Sequence, residues 1–273
     1  MITLRRAKDR RHEQRRKQEV WRTFHRQAGT DPFADGFGTL ELFNEDRHPP
    51  GAGVRRRHLH DAEIITYVRE GALAYEDSTG CAGIIQAGEF HRMTAARGVR
   101  YSEANASRAD WAQTFQIWLY PSETGVELGH EQRRFSTAQR RGELCIVASP
   151  DARRGSLRLR QNALMYSAML SPGKHVVHEL AEGRSAWLHL VKGEMTCGDF
   201  ILSTGDGAGV TAERAVSLTA REETEILLLD LGDRSPRPHT NGGVPVNNPE
   251  FLAPDAVRPR LPTPPTGRQG LAG

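Results

Sequence analysis

The stretches "TYVREGALAYEDS" (66–78) and "LHLVKGEMTCGDF" (188–200) carry one pattern twice. In each, an apolar run enters a glycine turn and a second short run follows. The likeness continues downstream. "AGEFHRMTA" (87–95) matches "TGDGAGVTA" (204–212), and "FQIWLY" (115–120) matches "EILLLDL" (225–231). A repeat of about a hundred residues predicts a duplicated β-barrel, one copy per half.

Working outward, strand signals dominate from residue 37. "GTLELF" (38–43), "EIITYV" (63–68), "GIIQAGEF" (83–90), "TFQIWLY" (114–120), "LCIVAS" (144–149), "LRLRQ" (157–161), "WLHLV" (187–191) and "EILLLDL" are short and rich in Ile, Val, Leu and aromatics. Gly, Pro, Asp or Ser separate them. Such spacing indicates a sandwich or barrel, not βαβ units. Residues 9–24 form the one helix candidate, with a thin apolar face. The segment 130–156 reads as the connector between the halves.

The chain has 273 residues, enough for one large domain or two that share a core. Only 37% are hydrophobic, so part of the chain is expected to stay unpacked. Residues 234–273 hold nine of the fifteen prolines and no periodic apolar pattern, and read as a disordered tail. Cys81, Cys145 and Cys197 are odd in number, lie far apart and form no C-x-x-C, which argues against a disulfide framework or zinc ribbon. No apolar run reaches membrane-span length. The start "MITLRRAKDRR" is charged where a signal peptide needs an apolar core. The expectation is a soluble, cytoplasmic monomer.

Net charge is +3, but residues 5–26 concentrate Arg5, Arg6, Lys8, Arg10, Arg11, Arg15, Arg16, Lys17, Arg22 and Arg26 against Asp9, Glu13 and Glu19. This block reads as a solvated basic face. Nucleic acid or a protein partner is the lesser alternative, since no recognition motif accompanies it. Trp21, Trp111, Trp118 and Trp187 are expected in the core. P-loop, G-x-G-x-x-G and G-x-S-x-G signatures are missing.

The chemistry-bearing candidate is "RRRHLHDAE" (55–63). On a strand, residues i and i+2 share a face, so His58 and His60 form a natural two-ligand unit if that face looks inward.

The chain resembles the pirin family of two-domain cupins. The residues that carry the resemblance are "MITLRRA", "WRTF" (21–24), "DPFADGFGTLELFNED" (31–46), "EIITYVREG" (63–71), "AGEFHRMTAARGVRYSEAN" (87–105), "QIWLYPSETGVE" (116–127), "EQRRF" (131–135) and "SPDARRGSL" (149–157). The resemblance implies an all-β bicupin: a first barrel over 1–135, a second over 136–233, and the tail. It also implies iron in the first barrel, held by three histidines and a glutamate from an H-P-H motif and a later G-[VI]-x-H-S-E motif. Several family members show quercetin-dioxygenase activity, and some act as transcriptional cofactors.

Counted without a gap, the two H-P-H histidines fall on Arg57 and Leu59, and Tyr101 stands for the third histidine. Only Glu103 is kept. A β-bulge would turn His58 and His60 inward and give the set His58, His60, Tyr101 and Glu103. Without one, a single-residue slip faces them outward. The expectation is a degenerate iron site with no cofactor, and Fe²⁺ is the alternative. Glu103, Tyr101 and Arg57 are then the pocket candidates. Arg57 faces the Glu103 carboxylate in place of the metal charge, and Leu59 fills space. A carboxylate in a partly apolar barrel can act as a general base. The functional expectation is a binder of a small aromatic or phenolic molecule or of a protein, or a metal-free acid–base catalyst. The alternatives are a quercetin 2,3-dioxygenase-like enzyme with remodelled ligands and a regulatory adaptor. His91 reads as a surface or partly packed histidine, and Glu63 as structural or pocket-lining. His175 and His178 are given no metal role.

Overall fold

Both repeat glycines have a backbone reason to be glycine. Gly71 (φ 74°) and Gly193 (φ 99°) lie in the left-handed region. A Cβ would stand 2.5 Å from the Trp111 carbonyl oxygen at Gly71 and 2.6 Å from the Glu223 carbonyl oxygen at Gly193. No other residue fits such a turn without strain.

In a computed structural model, residues 1–15, 17–25, 31–59, 61–95, 98–120 and 127–232 are described, with 15 and 54–58 described by backbone alone. The proline-rich segment 234–273 and His60 lie outside the described residues. In chain order the strands of the first half are β1 (Ile2–Arg5), β2 (Arg11–Arg15), β3 (Gln18–Arg22), β4 (Leu40–His48), β5 (Gly53–His58), β6 (Ala62–Glu70), β7 (Ala72–Asp77), β8 (Ala82–Gln86), β9 (Glu89–Ala95), β10 (Arg100–Asn105), β11 (Ala112–Leu119) and β12 (Gly129–Arg134). A one-turn helix, α1 (Thr137–Arg140), is closed by a Ser136–Gln139 capping box. The second half continues with β13 (Cys145–Ser149), β14 (Leu157–Arg158), β15 (Ala163–Leu170), β16 (His175–Glu179), β17 (Ser185–Lys192), β18 (Glu194–Cys197), β19 (Phe200–Ser203), β20 (Gly207–Val210), β21 (Ala215–Ala220) and β22 (Thr224–Leu231).

These strands build two copies of one arrangement. A wide sheet, β12-β9-β6-β11-β4-β3-β2, faces a narrow sheet, β5-β10-β7-β8; its counterparts are β1-β20-β17-β22-β15-β13-β14 and β16-β21-β18-β19. Strand β1 opens the chain yet pairs with β20 in the second barrel, in the place that β12 takes on β9 in the first. The residues read as a connector thus begin with a strand of the first barrel.

Alternation along the wide-sheet strands creates three cores. Phe115, Ile117 and Leu119 of β11 meet Leu227, Leu229 and Leu231 of β22 in a shared layer between the barrels. The intervening Trp118 faces the first barrel, and Ile226 and Leu228 face the second. Burial on both faces explains why "EILLLDL" is an unbroken apolar run. The second barrel is filled by residues such as Leu188, Met195, Cys197, Leu218 and Leu228.

Three expectations are corrected. The helix candidate 9–24 is the β2–β3 hairpin, with Lys17 at φ 72° in its turn. Its charges pair across strands: Arg22 Nε lies 3.2 Å from Glu13 and Arg47 Nη1 3.7 Å from Glu19. The pattern that left a helix without an apolar face suits an edge hairpin. The basic block is not simply solvated. Arg5 holds Asp31 through two 2.7 Å bonds, and Arg10 meets Glu45 at 2.9 Å, both arginines buried. Trp118 and Trp187 are core, but Trp111 is 44% exposed, and Trp21 stacks on His12 at the partly buried hairpin. Among the described residues, no helix is long and apolar enough to cross a membrane.

Polar groups are also buried between the barrels. His189 is fully buried with its ring 4.4 Å from that of Phe43, and neither ring nitrogen has a hydrogen-bond partner among the described residues. Burial, then the Arg10 charge, holds its pKa well below the ordinary value. On acidification the unfolded chain therefore takes up a proton that the folded chain refuses. Stability falls as pH drops below about 6.5, by about 1.4 kcal/mol per unit. His189→Leu is expected to remove about 2 kcal/mol of the stability loss between about pH 6.5 and 5. Urea unfolding at the two pH values measures it, and an unchanged pH dependence would contradict this origin.

Candidate functional site

Inward-facing positions of β10, β11, β7 and β9 converge inside the first barrel. Tyr101 and Glu103 are two apart on β10 and share a face. The Tyr101 hydroxyl donates to Glu103 Oε1 at 3.1 Å, and Gln116 Nε2 from β11 donates to Oε2 at 2.5 Å. Glu103 is 3% exposed and Tyr101 5%. A carboxylate so buried needs such donors. Leu59, 1% exposed, packs in the same core as Tyr101, Tyr75 and Val99. Its backbone is clamped to the following loop by Leu59 N–H to Val99 O and Gly98 N–H to Leu59 O.

Backbone register places the remaining candidates. Arg57 stands opposite Tyr101 and His58 opposite Arg100. The β5–β10 pairing does contain an irregularity, between Tyr101 and Glu103, where Arg55 and Arg56 oppose Ser102. It lies before Arg57 and leaves Arg57 and His58 in step with Tyr101 and Arg100.

A second cluster flanks this one. Asp77, opposite Tyr101 in the β7–β10 register, ends β7. Its Oδ1 accepts from Thr79 N–H, Thr79 Oγ and Cys81 N–H, and Oδ2 lies 2.8 Å from His130 Nε2. His130 Nδ1 lies 3.1 Å from His91 Nε2. The Tyr75 ring stacks near both imidazoles, at 4.4 and 5.6 Å. His91 is therefore not a surface residue. It is 1% exposed, and burial pushes its pKa down to about 3. Burial also raises the Cys81 thiol, while donors to its carboxylate hold Asp77 below the usual range against the effect of burial.

Sequence reading missed Asp77, Cys81, His130 and Gln116. The "EDSTGC" (76–81) hairpin carried a signal for two of them, since an Asp followed by Thr and Gly marks a tight turn. His130 and Gln116 come from distant strands and had none. Glu63 lies on the opposite face of β6, toward the second barrel. It accepts the Arg160 N–H at 2.7 Å, and burial raises its pKa. His175 and His178 lie on strand β16, and His178 pairs with Asp230 at 2.9 Å.

Comparison with known proteins agrees with this architecture. The pirin family model matches residues 8–119, and a quercetinase C-terminal cupin domain model matches 146–231. A quercetin 2,3-dioxygenase of Escherichia coli K12 is 38% identical over 231 residues, covering 85% of this chain and 99% of that protein. A pirin-like protein of Caulobacter vibrioides is 32% identical over 203 residues, covering 73% and 86%. The structure of bacterial pirin YhhW from Escherichia coli in complex with nickel(II) superposes with a TM-score of 0.79 at 37% identity, covering 85% of this chain and 100% of that one.

Proposed function

This chain belongs to the pirin family, an all-β bicupin, and we propose that its first barrel works without iron at the family position. In this reading the barrel binds a small aromatic or phenolic molecule, with Glu103 as proton acceptor and Tyr101 as hydroxyl donor. The observation that carries the reading is the engagement of Glu103. One oxygen accepts from Tyr101 and the other from Gln116. Two described residues support this reading over an iron held by three imidazoles and a carboxylate. Leu59 has no donor atom, and Tyr101 offers a phenol already turned to the carboxylate. Non-haem ferrous sites are built from imidazole and carboxylate.

The chemistry left to these side chains is proton transfer and hydrogen bonding. Glu103 is placed to accept a proton from a phenolic hydroxyl, and Tyr101 and Gln116 fix the carboxylate's orientation. Arg57, whose backbone stands opposite Tyr101, is the proposed counter-charge to this carboxylate.

Relatives named quercetin 2,3-dioxygenase favour a second reading, an iron oxygenase with ligands His58, His60, Tyr101 and Glu103. Quercetin turnover after anaerobic ferrous reconstitution separates the two. Background turnover, together with binding of a flavonol that weakens in Glu103→Gln, is the expected result. Turnover above background that Glu103→Gln abolishes would establish the oxygenase instead.

A further inference from the structure

The Asp77–Cys81–His130 cluster plays no part in the proposed work of Glu103 and Tyr101. One ligand atom from each residue, a carboxylate oxygen, a thiol sulfur and an imidazole nitrogen, lies within 4.8 Å of the other two. We propose that these three side chains form a metal site apart from the family position, for a borderline divalent ion of the Zn²⁺ class, beside the pocket of the first barrel.

The donor set selects the ion. Hard ions such as Mg²⁺ and Ca²⁺ take oxygen ligands, whereas mixed sulfur, nitrogen and oxygen donors suit Zn²⁺ and Co²⁺. Three protein ligands leave a fourth position open to water or a ligand, as in catalytic rather than structural zinc sites.

The surroundings are built to aim the ligands. Three donors from Thr79 and Cys81 occupy Asp77 Oδ1, so Oδ2 is the oxygen turned to His130. Asp77 N–H bonds the Cys81 carbonyl at 2.9 Å, closing the hairpin that brings the thiol alongside. The independent observation is His91. It is 1% exposed, its Nε2 reaches the far nitrogen of His130, and its own Nδ1 has no partner among the described residues. A metal-bound imidazole needs an acceptor for its other N–H, and that acceptor fixes tautomer and ring orientation. His91 Nε2 supplies it.

Metal entry adjusts the spacing of the three ligand atoms, which lie within 4.8 Å of one another. Bonds of about 2.0–2.1 Å to nitrogen and oxygen and about 2.3 Å to sulfur set tetrahedral ligand atoms about 3.3–3.6 Å apart. The 2.8 Å His130–Asp77 contact therefore opens by about half an ångström. The ion takes the lone pair of the neutral His130 imidazole at Nε2, whose one proton stays on Nδ1 facing His91, and it displaces the Cys81 thiol proton, which leaves to solvent.

Cobalt(II) added to chelator-treated full-length protein tests the site, because a thiolate ligand gives a near-ultraviolet charge-transfer band and a tetrahedral site gives intense visible bands. The expected result is both features, displaced by Zn²⁺. Cys81→Ser loses the charge-transfer band while keeping the wild-type circular dichroism spectrum. His91→Phe, which keeps the ring packing on Tyr75, lowers affinity about 10–100-fold. Glu103→Gln leaves the cobalt spectrum unchanged, which keeps this outcome separate from the fate of the Glu103 pocket. Absence of a thiolate band in wild type, or its survival in Cys81→Ser, would overturn the proposal.

Discussion

Replacing Glu225 with alanine is expected to destabilise the protein by about 3–5 kcal/mol, more than a typical point substitution. Glu225 lies at the start of β22, between the barrels, 6% exposed. Its Oε1 accepts from the Tyr67 hydroxyl at 2.5 Å and from Arg140 Nη1 at 3.3 Å, and its Oε2 accepts from Arg69 Nε at 2.9 Å. Arg140, in the last turn of α1, is 3% exposed and also donates to Tyr67 and Ser167. Burial and the Glu225 charge hold the Tyr67 phenol above its ordinary pKa, so it stays a neutral donor. Alanine would leave two guanidinium groups facing each other, one fully desolvated and without its counter-charge. Chemical denaturation followed by tryptophan fluorescence measures the loss. Trp187 sits in the inter-barrel layer and reports on it directly. A change below about 1 kcal/mol would mean that the network adds nothing beyond apolar packing.

The second large effect is a gain. If the first barrel lost its iron by substitution at three ligand positions, restoring them restores the metal. The combined variant Arg57→His, Leu59→His, Tyr101→His is expected to purify with about one iron per chain, with Glu103 as the fourth ligand. The Glu103 carboxylate lies two residues along the same strand, so it shares a face with position 101. The Leu59 position costs some stability, because an imidazole replaces a fully buried aliphatic side chain. Circular dichroism confirms folding before metal analysis. A folded variant without iron would mean that the barrel backbone no longer presents these positions to one point.

Much of the fold was legible in the sequence because two signals agreed. The repeat located the equivalent strands, and its glycines, Gly71 and Gly193, mark turns where a Cβ would strike a carbonyl. The unbroken apolar run of β22 reflected burial on both faces. The β2–β3 hairpin was misread because its strands lie at the sheet edge. There, charge pairs such as Arg22–Glu13 replace an apolar stripe, so neither period stands out. The exchange of β1 into the second barrel left no local trace, since pairing at a distance of two hundred residues is a property of the whole chain. At the site, Tyr101 and Glu103 were readable through the family resemblance, at the places of the histidine and the glutamate of its G-[VI]-x-H-S-E motif. The hydrogen bond from Gln116, and the meeting of His91, His130 and Asp77 from three strands, depend on how the sheets face each other, which no single segment encodes.

The most direct test of the central claim is elemental analysis of tag-free protein from cells grown with added iron, run beside Glu103→Gln. The account predicts iron far below one per chain in both proteins, with no difference between them. Near-stoichiometric iron in the wild type, lost in Glu103→Gln, would contradict it and place a working metal centre at Glu103.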